Sequence, residues 1–177
     1  MLERAVAGRY QDMVAARRVT VVTGPRQAGK TTLVQSQLGG GTLRSLDDQG
    51  TLDSALTDPV GFLALGTRPL VIDEVQRAGE PLVHAIKLAV DHDPAPGQFV
   101  LTGSSNFLTV PTISESLAGR AGFVDVWPLT QGEISGKHDR FIDGAFEGPA
   151  AFSTYRPGAF SRHGLMERVC AGGYPEV

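Results

Sequence analysis

One run of small and polar residues has the residue types and the spacing that bind phosphate. The run is Gly24-Pro25-Arg26-Gln27-Ala28-Gly29-Lys30-Thr31, and it fits the pattern G-x-x-x-x-G-K-[ST] without a mismatch. Backbone N–H groups of such a loop point at phosphate oxygens, and Gly29 lets the backbone approach them closely. Lys30 can reach the β- and γ-phosphates, and the hydroxyl of Thr31 can bind Mg²⁺. The run therefore predicts a phosphate site, with a chance glycine-rich turn as the alternative.

Two adjacent carboxylates form the second candidate group. Asp73 and Glu74 follow the apolar run of residues 70–72. A carboxylate at the end of such a strand can hold Mg²⁺ through water, and its neighbour can polarise an attacking water as a general base. We assign Asp73 to the metal and Glu74 to the base. An exposed acidic turn after a core strand is the alternative.

Small polar side chains follow another apolar run, in the segment Thr102-Gly103-Ser104-Ser105-Asn106. Parallel α/β sheets bind ligands at the carboxyl ends of their strands, and residues 24–30 and 73–74 are expected at that same edge. A polar side chain there could sense the γ-phosphate or position a water. Ser104 and Ser105 are favoured over Asn106, and a simple turn is the alternative.

Arginine supplies the last candidates. Arg120 lies between the predicted fourth and fifth strands, and an arginine on the γ-phosphate would offset transition-state charge, within one chain or from a neighbour. A solvated or salt-bridged arginine fits the sequence equally well. Arg26, inside the loop, is expected to point outward or to pair with an acid.

Short apolar runs that alternate with helical patterns must position these residues. The runs that predict strands are residues 19–23, 42–46, 70–72, 99–102 and 122–126. Helical spacing or capping residues predict helices over residues 1–17, from 30 to 39, from 48 to 55, from 59 to 66 and from 81 to 90. Such alternation favours right-handed crossovers and a parallel sheet with helices on both faces. The predicted fold class is α/β, a three-layer sandwich.

Composition indicates a globular chain with an aliphatic core. Of its 177 residues 41% are hydrophobic and 7% aromatic, and the formal net charge is −3. No apolar stretch is long enough to predict a transmembrane helix, and one cysteine, Cys170, cannot form an internal disulfide. These features favour the reducing environment of the cytoplasm.

The charge balance gives no chain-wide case for nucleic-acid binding. Arg4, Arg9, Arg17 and Arg18 nevertheless cluster near the N-terminus. A solvated helix face is the simpler interpretation of this cluster, and contact with nucleic acid is an alternative that no other feature supports.

The chain is expected to have three parts. Residues 1–17 are predicted as an N-terminal helix, residues 18–135 as the core, and residues 136–177 as a linker and the beginning of an incomplete C-terminal region. Beyond residue 130 glycine and proline recur, and apolar spacing predicts only a short helix near residues 165–169. We therefore expect a missing C-terminal domain.

Taken in order, these motifs resemble the AAA-type P-loop ATPases of bacteria and archaea. More narrowly, they resemble the branch whose ATPase domain precedes a C-terminal domain of unknown function. The resemblance rests on residues 24–33, 72–76 and 101–105, and also on residues 116–120, Pro128-Leu129-Thr130 with Glu133, and residues 172–177.

The resemblance implies ATP and Mg²⁺ as ligands and a sheet order of 5-1-4-3-2. In that order the strand that ends at Thr102 lies between the strand that leads to the phosphate loop and the strand that leads to Asp73. Roles also carry over by motif. The nucleotide would be held by the residues from Gly24 to Thr32 (Gly24, Pro25, Arg26, Gln27, Ala28, Gly29, Lys30, Thr31, Thr32). Thr31 and Asp73 would bind the metal, and Glu74 would be the general base. Ser104 or Ser105 would sense the γ-phosphate, and Arg120 would be an arginine finger that contacts it.

The expected function is Mg²⁺-dependent ATP hydrolysis by one module of a larger protein, with a homo-oligomer as one arrangement. A nucleotide-gated switch or scaffold, in which turnover is incidental, is the main alternative. A small-molecule P-loop kinase ranks lower, because Arg120 is its sole candidate for a basic lid residue.

Overall fold

A computed structural model describes residues 2–103, 116–137, 141–148, 150 and 161–175 of this chain. Two units can be distinguished, Val6–Trp127 and a second unit formed by Met1–Ala5 with Pro128–Val177. Among the described residues, no helix is both long enough and apolar enough to cross a membrane.

A five-stranded parallel sheet forms the centre of the unit Val6–Trp127. Its strands are β1 (Val19–Thr23), β2 (Thr42–Ser45), β3 (Leu70–Asp73), β4 (Phe99–Thr102) and β5 (Ala121–Asp125), and their spatial order is β2-β3-β4-β1-β5. Val21 of β1 is in register with Leu101 of β4, which is in register with Ile72 of β3. The predicted sheet order is confirmed, with β4 between the strands that lead to the loop and to the carboxylates.

Helices cover both faces of this sheet. They are α1 (Ala7–Ala16), α2 (Lys30–Ser36), α3 (Gln49–Thr57), α4 (Pro59–Ala64) and α5 (Gly79–His92), and a 3₁₀ turn spans Val75–Arg77. The side chain of Asp48 accepts the Thr51 N–H at the start of α3, and that of Asp58 accepts the Gly61 N–H at the start of α4. Each carboxylate thereby satisfies an N–H that a helix start leaves without an intrahelical partner.

Successive strand residues bury their side chains in different layers, because side chains alternate along a strand. Ile72 and Leu101 belong to an apolar layer that includes residues of α3, α4 and α5. Val71 and Val100, each one position earlier, belong to a second layer with Tyr10 of α1 and residues of α2. This arrangement confirms the predicted three-layer α/β fold.

The N-terminal helix is shorter than the predicted span of residues 1–17, because it begins at Ala7. Ala5 instead donates its backbone N–H to the carboxylate of Glu133 over 2.7 Å, and Arg4 Nε donates to the same oxygen over 3.1 Å. These contacts hold the first residues outside the helix. Apolar spacing could not reveal them, since the two partners are more than 120 positions apart.

The second unit contains short helices at Gln131–Ile134, Phe141–Glu147 and Arg162–Ala171. The last of these includes the helix predicted near residues 165–169. Thr130 and Glu133 form a capping box at the first, in which each side chain accepts the other's backbone N–H. The four-residue helix Gln131–Ile134 escaped prediction because it is too short to show an apolar period.

The side chain of Glu133 is only 7% exposed and accepts hydrogen bonds from three residues of this unit. Burial by itself raises the pKa of Glu133, but hydrogen bonds from the backbone of Thr130 and Ala5 and from Arg4 outweigh that effect. The pKa therefore lies below its ordinary value.

The lowered pKa of Glu133 makes a prediction about stability and pH. A carboxyl whose folded pKa is depressed contributes stability above its unfolded pKa of about 4.3, and that contribution is lost as the pH falls through the folded pKa. We expect Glu133→Gln to lower Tm at neutral pH, and the difference from wild type to shrink as the pH falls below the unfolded pKa. Thermal unfolding followed by circular dichroism across the pH range measures this.

Glu3→Gln is the matched control, because it makes the same chemical change at an exposed residue of the same N-terminal segment. It should leave Tm almost unchanged at every pH. A Glu133→Gln difference that stays constant across the pH range would contradict the assigned electrostatic cause.

Candidate functional site

The loop between β1 and α2 lies at the carboxyl edge of the sheet, and its geometry depends on glycine at its entry. Gly24 has φ +146°, and a Cβ built there would lie 2.1 Å from the carbonyl oxygen of Val126. The chain just after β5 is held against this entry, since the Val126 N–H donates to the Thr23 carbonyl over 2.8 Å. A side chain at position 24 would therefore push the loop away from its neighbouring strand.

Left-handed backbone at two further positions shapes the loop. Gly29 has φ +87° and precedes the first residue of α2, and Gln27 has φ +62°. Glycine adopts this conformation readily, whereas a residue with a side chain does so at a cost of order 1 kcal/mol. The strain at Gln27 is consistent with a loop shaped for a ligand rather than for stability alone.

Lys30 lies over the loop with its cation turned inward. The residue is 7% exposed, and Nζ donates to the carbonyl oxygens of Gly24 (3.1 Å) and Pro25 (2.8 Å). Burial lowers the pKa of Lys30, the nearby charges of Glu74 and Asp73 oppose that effect, and Arg26 adds to it, so that the pKa stays below its ordinary value. A buried ammonium held by neutral carbonyls can exchange them for stronger, anionic acceptors.

Asp73 brings three structural elements together. The carboxylate, at the end of β3, is 6% exposed and accepts hydrogen bonds from the hydroxyl of Thr31 in α2, at 3.1 Å to Oδ1 and 3.2 Å to Oδ2. The hydroxyl of Thr102, at the end of β4, donates to Oδ1 as well. Strand order explains this meeting, because β3 and β4 are neighbours and both end at the edge where the loop begins.

The pair Thr31 and Asp73 fits the coordination of Mg²⁺. Hydroxyl and carboxylate oxygens are ligands that suit this ion, and here the hydroxyl of Thr31 lies 3.1 Å from Oδ1 of Asp73. The described residues contain no group of three or more His, Cys, Asp or Glu side chains that could hold a metal ion by themselves. The hydroxyl of Thr31 and the carboxylate of Asp73 therefore suit a cation such as Mg²⁺, which also binds water and phosphate oxygens.

Glu74 is held by its backbone and by its side chain. It has φ +56° and donates its N–H to Thr102 Oγ1 over 3.2 Å, so that Thr102 contacts both acidic residues. Its carboxylate accepts a hydrogen bond from Nε2 of Gln76. The left-handed turn at Glu74 ends the strand and begins the 3₁₀ turn Val75–Arg77.

The structure brings Lys30, Thr31, Asp73 and Glu74 to one edge of the sheet. Side chains of Arg26, Gln27 and Thr32 are exposed around them, in agreement with the outward direction expected for Arg26. Ser104, Ser105 and Asn106 lie outside the described residues.

Two residues of the site, Thr102 and Gln76, were not among the sequence-based candidates. The available signal for Thr102 was a polar residue that ends an otherwise apolar, fully buried strand. Gln76 is the last residue of the segment 72–76 that carries the family resemblance, but that resemblance gave it no role.

Arg120 lies at the opposite edge of the sheet. Its carbonyl accepts the N–H of Val19, the first residue of β1, so roughly 16 Å of strand separates it from Gly24. Its guanidinium binds Asp91 through Nε (2.6 Å) and Nη2 (2.8 Å), and this contact lowers the pKa of Asp91 and raises that of Arg120. Of the two arrangements left open for Arg120, action within its own chain does not fit this position, because the guanidinium is paired with Asp91 far from the loop.

Sequence relatives place this site in a known family. The family described as "AAA domain" matches residues 16–135, a span that includes the loop, both carboxylates and Thr102. The chain is also 35% identical over 134 residues to the uncharacterized proteins Rv2008c of Mycobacterium tuberculosis and Mb2031c of Mycobacterium bovis. The match covers 74% of this chain and 30% of the length of each relative.

Among solved structures, the fold is similar to that of the Walker-type ATPase PABY2304 of Pyrococcus abyssi. The TM-score is 0.51 at 16% sequence identity, over 89% of this chain and 60% of the other. At this identity the likeness describes the fold alone.

The crowding at the loop entry predicts an effect on stability. Gly24→Ala forces Cβ against the Val126 carbonyl in an unfavourable backbone conformation, and we expect it to lower the free energy of unfolding by about 1–3 kcal/mol. Gly8→Ala in α1 is the matched control, because a Cβ there meets nothing within 4 Å. That control should raise stability by about 0.5–1 kcal/mol, and urea unfolding measures both values. Equal effects at the two glycines would contradict the steric explanation.

Proposed function

Because this chain belongs to the family of AAA-type P-loop ATPase domains, we propose that it binds ATP together with Mg²⁺ and hydrolyses the γ-phosphate. One observation carries the proposal: an ammonium, a hydroxyl and two carboxylates, from Lys30, Thr31, Asp73 and Glu74, occur at a single edge of the sheet beside a left-handed, glycine-bounded loop. Each of these groups has a place in phosphoryl transfer to water.

Nucleotide binding would use the loop and Lys30. Backbone N–H groups at the start of α2 favour anions. The Lys30 ammonium, already desolvated and bound to two loop carbonyls, would transfer its hydrogen bonds to β- and γ-phosphate oxygens. Its charge is then compensated by the ligand as well as by Glu74 and Asp73.

Metal binding would use Thr31 and Asp73. Bound Mg²⁺ supplies positive charge that offsets the charge developing on the phosphate oxygens. The chain contributes a hydroxyl and a carboxylate whose oxygens are already adjacent, and Thr102 fixes the orientation of that carboxylate through its own hydrogen bond.

Water activation would use Glu74. Its carboxylate is half-buried, close enough to Lys30 to influence the pKa of that lysine, and one residue beyond the metal carboxylate. A carboxylate in this position can accept the proton of a water as that water attacks phosphorus. Thr102 and the left-handed turn restrain the backbone from which this side chain extends.

Removing the base should separate binding from turnover. We expect Glu74→Gln to retain fluorescent ADP and ATP analogues with nearly wild-type affinity while the hydrolysis rate falls by about 100-fold or more. Lys30→Ala should instead weaken binding itself, and the exposed Lys137→Ala serves as its control. Phosphate release and fluorescence titration measure the two effects.

Two results would overturn parts of this proposal. Wild-type turnover in Glu74→Gln would exclude Glu74 as the base. Tight nucleotide binding without any turnover in the wild type would favour a nucleotide-gated switch, in which ATP and ADP must differ in their affinity for two states of the protein.

Arg120 could reach a phosphate site only on a second copy of the chain, and we propose that role for it. Hydrolysis per molecule should then rise with protein concentration, and Arg120→Ala should abolish the rise while leaving ADP affinity intact. Arg18→Ala is the matched control, because Arg18 lies 4.0 Å from the same Asp91 carboxylate. A rate independent of concentration, unaffected by Arg120→Ala, would restrict Arg120 to its ion pair with Asp91.

A further inference from the structure

Gln76 contacts the carboxylate of Glu74. It lies in the 3₁₀ turn Val75–Arg77, and its Nε2 donates a hydrogen bond to Oε2 of Glu74. Its other polar atom, Oε1, is buried and has no hydrogen-bond partner among the described residues. The amide is therefore oriented by the carboxylate, because the reverse orientation would set two acceptors against each other.

We propose that Gln76 is a positioning residue that holds Glu74 for water activation. This inference rests on the proposed hydrolysis and names the group that orients the base. A glutamate side chain has several freely rotating bonds, and a half-buried one samples many rotamers unless something holds it. Gln76 fixes one carboxylate oxygen and leaves the other to accept a proton from water.

The chemistry of the donor suits this task. A cationic donor at position 76 would stabilise the ionised carboxylate and so lower its basicity. A neutral amide orients the carboxylate with less effect on its basicity. The cation next in sequence, Arg77, binds Asp47 instead, with 2.7 Å between Nη1 and Oδ1. Lys30 remains the nearby positive charge, and its Nζ is engaged by loop carbonyls.

The buried Oε1 separates this role from a structural one. A glutamine whose role is to stabilise the fold would have both of its polar side-chain atoms hydrogen-bonded, because a buried acceptor without a donor is destabilising. Replacing Gln76 with an apolar residue of similar length removes that acceptor, and the half-buried Glu74 carboxylate can turn to water. Stability should therefore not fall when the donor is lost, although catalysis should.

Three variants test the proposal. Gln76→Met keeps the length and removes the donor, and Gln76→Glu keeps the shape and replaces the donor with an acceptor. We expect kcat to fall by about ten- to a hundredfold in both, with Mg·ADP affinity within about twofold of wild type and Tm of Gln76→Met no lower. Gln49→Met is the matched control, because Gln49 donates to the exposed Asp53 over 2.7 Å.

A second readout does not depend on turnover. In ¹⁵N-labelled protein, the side-chain amide resonance of Gln76 should shift on Glu74→Gln, since its acceptor loses its charge, whereas that of Gln49 should not. Gln76→Met added to Glu74→Gln should lower the residual rate no further, because the two residues act as one unit.

Each failure has a distinct meaning. Wild-type kcat in Gln76→Met, or an unshifted Gln76 resonance, would overturn the positioning role while the base assignment stands. A fall in kcat matched by falls in Tm and ADP affinity would make Gln76 a structural residue. Wild-type turnover in Glu74→Gln would overturn the proposed function and this inference together.

Discussion

The buried carboxylate of Asp73 is the constraint on which the site depends. It is removed from water and therefore needs donors, and two hydroxyls supply them, from Thr31 on α2 and Thr102 on β4. Hydrogen bonds to a charged group stabilise by about 1.5–3 kcal/mol each, so the carboxylate holds a helix and two strands in fixed relation. Thr102 extends the same constraint to Glu74 through the backbone N–H that it accepts.

Backbone strain is concentrated at this edge. Among the described residues, positive φ values at positions other than glycine occur at Gln27 in the loop and at Glu74 after β3. Both conformations cost free energy and persist because neighbouring contacts determine them. The strands that precede them, β1 and β3, are fully buried, so the sheet supports a strained edge, as expected where ligand geometry matters more than local stability.

Charges are separated between the two edges of the sheet. At the carboxyl edge burial lowers the pKa of Lys30, although the charges of Glu74 and Asp73 oppose that effect. At the amino edge Arg120 and Asp91 form a two-point ion pair that is open to solvent. An exposed pair of this kind adds little to stability, and the separation of Arg120 from its own loop follows from its place at the amino edge.

Local signals in the sequence determined the sheet strands, the caps at Asp48 and Asp58, and the phosphate loop, because each depends on residues within about one helical turn or one strand. Family resemblance supplied the strand order. Thr102 as a shared partner, Gln76 as a donor, the pairing of Arg120 and the binding of Ala5 by Glu133 needed the tertiary structure. Apart from the short-range contact of Gln76, these contacts join residues that are 28 to 128 positions apart in the sequence. A local sequence pattern does not tell which of such distant residues meet in space.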